Sequence, residues 1–180
     1  FALNYCIFIP MKSILIPIFL LSIYSFAAFS ELTFDQTTDI IGKPQITDGD
    51  TIVMNGIKIR FTGSDAPESY FFGKTQICKD SAGQDWECGK AATEKLKQLI
   101  NNQTVRCSDE GKDRYGRTLG ICHVGDMDLQ AEMVKSGMAV AYLRYSNRYE
   151  QEQNFAKKAK AGMWSGEFLE PETWRRENRN

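Results

Sequence analysis

Histidine is nearly absent from this sequence, because the chain of 180 residues contains only His123. Active sites that use a histidine base, or a metal held by several histidines, are therefore poorly supported. Since His123 also lies in a predicted strand beside Cys122, catalysis would have to rely on carboxylates and arginines.

The sequence also lacks an excess of positive charge. Its 22 Lys and Arg residues are outnumbered by 23 Asp and Glu residues, which gives a net charge of −1 at pH 7. Attraction to nucleic acid through bulk charge is therefore excluded. Binding of a polyanion would need a local basic cleft, or a metal ion that offsets acidic residues.

Only one long hydrophobic run is present, from Ile14 to Ala28, and it follows Met11 and Lys12. A short positive segment, an apolar run and small residues up to Ser30 are typical of a secretory signal peptide. The alternative is an uncleaved leader that anchors the protein in a membrane. The run is, however, shorter than the roughly 20 apolar residues that span a bilayer.

These features predict two parts of the chain. Residues 1–30, which comprise the segment upstream of Met11 and the signal peptide, form a leader. Residues 31–180 form a single domain with a charged, Trp-containing tail, and loss of Lys12 with the leader changes the net charge from −1 to −2. We expect a secreted or periplasmic monomer with no stable membrane association and no obligate protein partner.

No C-x-x-C spacing occurs among the cysteines, which makes a zinc site the weaker interpretation. The expected mature chain keeps an even number of cysteines, which predicts two disulfides in an exported protein, with three possible pairings. Cys107 and Cys122 flank the turn at residues 111–117 and could face each other across a hairpin. Cys78 and Cys88 would then close a loop.

The pattern of strands and helices favours an α+β fold. Asn55-Gly56 between Thr51–Met54 and Ile57–Phe61 predicts a hairpin, and alternation places Lys58 and Arg60 on one face of its second strand. Further strands are predicted over 105–107, 119–124 and 139–143, and helices over 90–101, 128–136 and 149–161. This order suits a five-stranded OB-fold β-barrel with about three packed helices.

The segment Asp65-Ala66-Pro67-Glu68 carries the most informative chemistry. It follows Arg60 by five residues, and Arg117 closes the turn at residues 113–117. A carboxylate can activate water, and arginine presents donors that match phosphate oxygens. Taken alone the segment is typical of a surface turn, but with the two arginines it indicates phosphodiester hydrolysis.

Upstream, Asp48-Gly49-Asp50 supplies further carboxylates. Asp50 and Asp65 could hold a hard cation, since Ca²⁺ and Mg²⁺ prefer oxygen ligands. The alternative is that Asp48 caps a turn in which Gly49 supplies a positive φ.

The order and spacing of these motifs resemble the thermonuclease (staphylococcal nuclease-like) family, in particular an exported bacterial branch. The resemblance covers about residues 44–166. Its segments are Thr47–Thr51, Ile59–Arg60, Asp65–Glu68, Asp113–Leu119, Ala131–Gly137, Ala139–Tyr142 and Ala161–Trp164. Each motif is modest alone, and their joint order makes the resemblance specific.

This resemblance implies an OB-fold and a Ca²⁺-dependent endonuclease that acts on DNA and RNA with low sequence specificity and leaves 3′-phosphates. The implied catalytic residues are Arg60, Glu68 and Arg117. The implied cation ligands are Asp50, Asp65 and the backbone carbonyl of Ala66, where the family commonly has threonine, with Asp48 as a nearby acid. The residues implied to border the nucleotide are Arg114, Tyr115 and Tyr142.

The sequence departs from the family pattern in two respects, and one alternative function is consistent with the fold. The chain is slightly acidic, whereas the best-known member is strongly basic, and the segment between Glu68 and Cys88 is longer and bounded by cysteines. The rival is a non-catalytic OB-fold module that binds nucleic acid. Such modules are expected to lack some of the arginines, the glutamate or the carboxylates, and none is missing here.

Overall fold

The computed structural model describes residues 39–179, so the predicted leader over residues 1–30 lies outside the described residues. The strands are β1 (Ile40–Gly42), β2 (Gln45–Asp48), β3 (Thr51–Met54), β4 (Ile57–Phe61), β5 (Ser64–Asp65), β6 (Cys78–Lys79), β7 (Asp85–Trp86), β8 (Val105–Lys112), β9 (Thr118–Val124), β10 (Met127–Asp128) and β11 (Val140–Ala141). The helices are α1 (Cys88–Ile100), α2 (Leu129–Lys135), α3 (Glu150–Ala159), a 3₁₀ turn (Gly162–Ser165) and α4 (Pro171–Glu177). Within residues 39–179, every helix is too short or too polar to cross a membrane.

One curled, open sheet forms a half-barrel with the strand order β1-β8-β9-β4-β3-β2. Strand β10 pairs with residues 123–124 of β9, beyond the residues that pair with β4. All pairs in the sheet are antiparallel except β4 with β9. Together with the helices this confirms the predicted α+β fold of the OB type, to which the structure adds the short strands β1 and β10. Strands β5 and β11 form a separate antiparallel pair.

The predicted hairpin is present, and its turn follows from residue type. Asn55 and Gly56 both have positive φ, at 51° and 78°, which the tight turn between right-twisted strands requires. Along β4, Ile59 and Phe61 are buried, whereas Lys58 is exposed and Arg60 half-buried. The period of two therefore turns the apolar side chains into the core and Arg60 toward the opposite face.

The core lies between the curled sheet and the first helices. Helix α1 buries Leu96, α2 buries Leu129 and Met133, and these pack with Ile52 and Ile59 from the sheet. Burial of each such side chain contributes about 1.5–3 kcal/mol. This packing fixes the positions of β3 and β4, and so of the polar residues on their other side.

Two disulfides join the same cysteines that the sequence argument paired. Cys107–Cys122 links directly opposed residues of β8 and β9, and Cys78–Cys88 ties β6 to the first residue of α1. Disulfides of this kind persist in oxidising compartments, so they indicate an extracytoplasmic location. The second bond also restrains the chain that follows Glu68.

The C-terminal tail contains a helix that the sequence did not predict. Helix α4 begins at Pro171, a residue suited to the first helical position because its missing N–H has no partner there. It buries Trp174, which lies edge-on against Phe71 with ring centroids 6.1 Å apart. The tail therefore packs on the long loop after Glu68.

Candidate active site

The loop Asp48–Asp50 is held close to α1 by a glycine. A Cβ at Gly49 would lie 2.8 Å from the Cβ of Ala66 and 2.9 Å from that of Ala92. Gly49 is absent from the residues of positive φ, so the alternative in which it supplies such a φ is wrong. Its role is to let the acidic loop approach the segment that carries Ala66.

Asp48 links this loop to the chain around Glu68. Its Oδ1 accepts hydrogen bonds from the backbone N–H of Gly49 at 2.8 Å and from that of Ser69 at 3.1 Å. The loop and the segment after Glu68 are thereby joined, although 21 residues separate Asp48 from Ser69.

The segment Asp65–Glu68 is buried rather than a surface turn. Asp65 is 1% exposed and pairs with Val140 across the short β5–β11 ladder. The next residue, Ala66, donates its N–H to Asp50 Oδ2 at 2.8 Å. Glu68, which is 8% exposed, is followed by a loop that returns so that Gln76 N–H donates to the Glu68 carbonyl at 2.9 Å.

Arg60 joins the two buried aspartates. Its Nη1 donates to Asp50 Oδ1 and its Nη2 to Asp65 Oδ1, each at 2.5 Å. The guanidinium is mostly buried, with 13% of the side chain exposed. We call the cluster of Asp50, Arg60, Asp65 and Glu68 the floor of the site, and the structure brings these four predicted residues together.

A fifth residue, Arg175, contacts the floor, and sequence reasoning missed it. Arg175 of α4 donates from Nη1 and Nη2 to the two oxygens of Asp65, at 2.9 and 2.8 Å. The same Nη1 donates to Glu68 Oε1 at 2.8 Å. The one available signal was Pro171, which marks a helix start in a tail otherwise rich in charge.

Burial and neighbouring charge set the protonation of the floor. Burial, with a smaller contribution from Asp50, raises the pKa of Glu68 to about 7, and the hydrogen bond from Arg175 opposes that rise. Burial also raises the pKa of Asp50, against the attraction of Arg60. Burial lowers the pKa of Arg60, but Asp50 and Asp65 outweigh it and the net shift is upward. A carboxyl with a pKa near neutrality is suited to accept a proton.

Arg117 belongs to a different environment, the turn at residues 113–117, which we call the rim turn. Its Nε donates to Asp113 Oδ2 at 2.7 Å and its backbone N–H to Asp113 Oδ1 at 2.9 Å. These hydrogen bonds lower the pKa of Asp113, although partial burial acts against them. Arg117 is more exposed than Arg60, at 29% of its side chain.

Tyr115 stands at the tip of the rim turn. It is 62% exposed, and the guanidinium carbons of Arg114 and Arg117 lie 4.8 and 5.8 Å from the centre of its ring. An exposed aromatic ring beside two cations offers a surface on which a nucleobase can stack while its phosphates are neutralised.

A cleft of about 1280 Å³ connects the floor with the rim turn. Its walls contain eight basic side chains and four acidic ones, so the cleft is basic although the whole chain is not. The basic residues are Lys58, Arg60, Arg114, Arg117, Arg144, Arg175, Arg176 and Arg179, and the acidic ones are Asp48, Glu68, Asp113 and Glu172.

Aromatic side chains surround this cleft. Tyr142 lines it half-buried, with its ring 4.8 Å from that of Tyr145, and burial followed by the charge of Glu172 raises the Tyr142 pKa to about 12. Tyr70 and Phe72 lie on the loop after Glu68 and are 74% and 65% exposed. These last two, like Tyr145, were not singled out in the sequence, where aromatics in loops carry no distinctive spacing.

The donor chemistry of the floor suits Ca²⁺, but its arrangement does not present an open cation site. Asp50, Asp65 and Glu68 supply hard carboxylate oxygens, and against Arg60 alone they leave two negative charges, which one divalent cation would balance. Among residues 39–179, however, no three His, Cys, Asp or Glu side chains are grouped so that they could hold a metal ion. The two arginines instead engage both oxygens of Asp65.

Comparison with known proteins gives the family. A family model described as Staphylococcal nuclease homologue matches residues 58–166, more than half of the chain. The succinoglycan biosynthesis protein ExoI of Rhizobium meliloti is 35% identical over 128 residues, which are 69% of this chain and 64% of that protein. The chain thus spans slightly less than two thirds of that relative.

Two further relatives carry nuclease names. The micrococcal nuclease of Shigella flexneri is 34% identical over 155 residues, which cover 76% of this chain and 80% of that protein. The thermonuclease of Staphylococcus hyicus is 32% identical over 142 residues, which cover 73% and 77%. The predicted resemblance is confirmed, and this chain belongs to the staphylococcal nuclease family.

Proposed function

We propose that this protein is a Ca²⁺-dependent endonuclease that hydrolyses phosphodiester bonds of DNA and RNA with little sequence specificity and leaves 3′-phosphates. Family membership and the nuclease relatives support the broader part, an endonuclease. The observation that carries the proposal is the floor itself, where Glu68, Arg60 and two aspartates meet beside a basic cleft that also contains Arg117.

Glu68 is the proposed general base. Glu68 lines the cleft, where its carboxylate would take a proton from the water that attacks phosphorus. The bond from phosphorus to the 5′-oxygen breaks, and that oxygen leaves with a proton from solvent, so a 3′-phosphate and a 5′-hydroxyl result. The pKa of about 7 allows Glu68 to be ionised in a large fraction of molecules at neutral pH.

Arg60 and Arg117 are the proposed phosphate-binding residues. They line the same cleft, and a guanidinium presents paired donors that match two phosphate oxygens. Donors aimed at the charge that develops in the transition state each contribute about 2.7–4 kcal/mol in comparable sites. Arg117 would exchange Asp113 for phosphate, and Arg60 would release one of its aspartates.

The remaining predicted residues have supporting roles. Asp50, Asp65 and the Ala66 carbonyl would hold the cation, with Asp48 nearby, and a bound cation would neutralise charge on the phosphate. Arg114, Tyr115 and Tyr142 would border the nucleotide through charge and stacking, which every base supports and which therefore gives low sequence specificity. The predicted leader over residues 1–30 would direct the domain over residues 31–180 out of the cytoplasm as a monomer.

Digestion of supercoiled plasmid and total RNA by residues 31–180, in Ca²⁺ and in chelator, tests this proposal. Both substrates should be degraded in Ca²⁺ and spared in chelator. The product 3′ ends should accept terminal-transferase extension only after phosphatase treatment. Undiminished cleavage in chelator would remove the metal role, and binding without cleavage in Ca²⁺ would favour the non-catalytic module.

A further inference from the structure

The strongest feature that the proposed function leaves unused is the contact between the C-terminal helix α4 and the floor. Helix α4 is attached to the loop after Glu68 by Trp174, and just before the helix the Leu169 carbonyl accepts a hydrogen bond of 2.7 Å from the side chain of buried Gln76. These contacts aim Arg175 at the carboxylates from more than a hundred residues away in the sequence.

Arg175 uses the carboxylate oxygens that a cation would need. Its two Nη atoms take both oxygens of Asp65, and Nη1 also reaches Glu68. Oδ1 of Asp65 accepts from Arg60 as well, so both lone pairs of that oxygen are engaged. Oδ2 accepts only from Arg175 and keeps one lone pair, so a cation could be coordinated there only in direct contact with the Arg175 guanidinium.

Charge opposes binding of a cation beside Arg175. Arg175 places one positive charge within hydrogen-bonding distance of Asp65 and Glu68, and a divalent cation would place two more at the same oxygens. Positive charges a few ångströms apart in a mostly buried site repel each other strongly, because little water screens them. Either group satisfies the carboxylates, and the two together do not.

We propose that Arg175 and the divalent cation compete for Asp65 and Glu68, so that helix α4 closes the site and cation binding releases it. This inference rests on the proposed function, because it takes the cation to bind the floor. Of the two arginines that contact Asp65, Arg175 is the one that can move away from it, since Arg60 belongs to a central strand of the sheet.

The structure of α4 is consistent with release. The helix has seven residues, and isolated helices of that length are not stable in water. Apart from the anchors at Trp174 and Leu169, its side-chain contacts with other elements are Arg144 with Glu172 at 3.3 Å and Lys74 with Asn178 at 3.0 Å, which join exposed side chains and add little stability. Loss of the Arg175 contacts should therefore loosen the helix around its Trp174 anchor.

Calorimetric titration of Ca²⁺ into residues 31–180, without nucleic acid, measures the competition directly. Arg175→Gln should bind Ca²⁺ at least about 10-fold more tightly than wild type, because the cation no longer displaces a guanidinium. Arg176→Gln is the matched control. It removes the same charge from the neighbouring position of α4, where no ion pair with a carboxylate is formed among the described residues, and its affinity should stay within about twofold of wild type.

Hydrogen exchange of the wild type supplies a readout that needs no substitution. Coupling between two sites is reciprocal, so saturating Ca²⁺ should speed exchange of the amides at residues 172–178. Slower or unchanged exchange there would overturn the proposal, even if Arg175→Gln failed to fold. Equal Ca²⁺ affinity of wild type and Arg175→Gln, or weaker affinity of the variant, would also overturn it.

The two proposals can fail separately. Ca²⁺-dependent cleavage by wild type with equal Ca²⁺ affinities in both proteins would leave the nuclease proposal intact and overturn the competition. Cleavage in chelator, with no Ca²⁺ binding to either protein, would overturn both.

Discussion

The floor of the site and the rim turn contain the same kind of residue in two different settings. Arg60 bonds to Asp50 and Asp65, which are 2% and 1% exposed and come from other strands or loops. Arg117 bonds to Asp113, four residues earlier in its own turn, with 29% of its side chain exposed. Buried ion pairs between different segments hold the floor, whereas contacts within a single turn hold the rim turn.

Because of this difference, we expect Arg60 and Arg117 to contribute similarly to activity but unequally to the stability of the fold. Removal of one member of a buried ion pair leaves an uncompensated charge and costs about 3–5 kcal/mol. A pair that solvent reaches, such as Arg117 and Asp113 with 29% and 14% of their side chains exposed, contributes about 1 kcal/mol or less. Both arginines are proposed to bind phosphate, but only Arg60 also holds the fold. Arg117 can exchange Asp113 for phosphate with little loss of stability, whereas release of an aspartate by Arg60 lowers stability more.

The largest expected effects follow substitution of Arg60 and of Arg117. Arg60→Gln should slow cleavage at least about 10²-fold and lower the free energy of unfolding by about 3–5 kcal/mol. Arg117→Gln should slow cleavage to a similar extent and lower the free energy of unfolding by less than about 1 kcal/mol. Urea denaturation and initial rates measure both quantities, and equal destabilisation by the two substitutions would contradict the comparison.

A smaller effect should appear in the pH dependence of the floor. Glu68 has a pKa of about 7, above its ordinary value of 4.5, so the folded state keeps a proton that the unfolded state has lost between these values. Its contribution to stability is complete below pH 4.5 and disappears as the pH rises through 7. Glu68→Gln should therefore become more stable, relative to wild type, by about 1–3 kcal/mol between pH 5 and pH 8.

Urea denaturation in chelator at both pH values measures this difference, since a bound cation would change the titration of Glu68. Glu94→Gln, an exposed glutamate of α1, is the matched control and should show no such trend. A difference between wild type and Glu68→Gln that is independent of pH would show that the burial of Glu68 does not penalise its ionisation.

The smallest effect is expected at the rim turn. Tyr115→Leu should weaken binding of single-stranded DNA about 5- to 10-fold, because a stacking surface is lost, and should leave stability and kcat nearly unchanged. Fluorescence anisotropy with a labelled oligonucleotide measures the affinity. Phe155→Leu changes an aromatic residue that is 54% exposed outside the cleft and should have no effect, so a similar loss there would remove the stacking role of Tyr115.

The same contrast explains how much the sequence could predict. The Asn55-Gly56 hairpin and helix α1 depend on local signals, and their positions were predicted to within a few residues. The association of Arg60 with the segment Asp65–Glu68 was predictable because five to eight residues connect them. The rim turn was predictable because its contacts lie within five residues.

The tail was not predictable in this way. Arg175 contacts Asp65 across 110 residues and Glu68 across 107, and its sequence neighbourhood is typical of a solvated charged end. The burial of the segment Asp65–Glu68 also depends on a distant partner, the strand at residues 140–141. Contacts that tertiary packing alone creates leave no local pattern in the sequence.

The most direct test of the account is the nicking rate of supercoiled plasmid in Ca²⁺ by wild type and Glu68→Gln, purified side by side. The substitution keeps the shape of the side chain and an oxygen that Arg175 can reach, but removes the base. We predict a rate at least about 10²-fold lower for Glu68→Gln, with Glu94→Gln unchanged. Equal rates for wild type and Glu68→Gln would contradict the account, because the floor would then not supply the base.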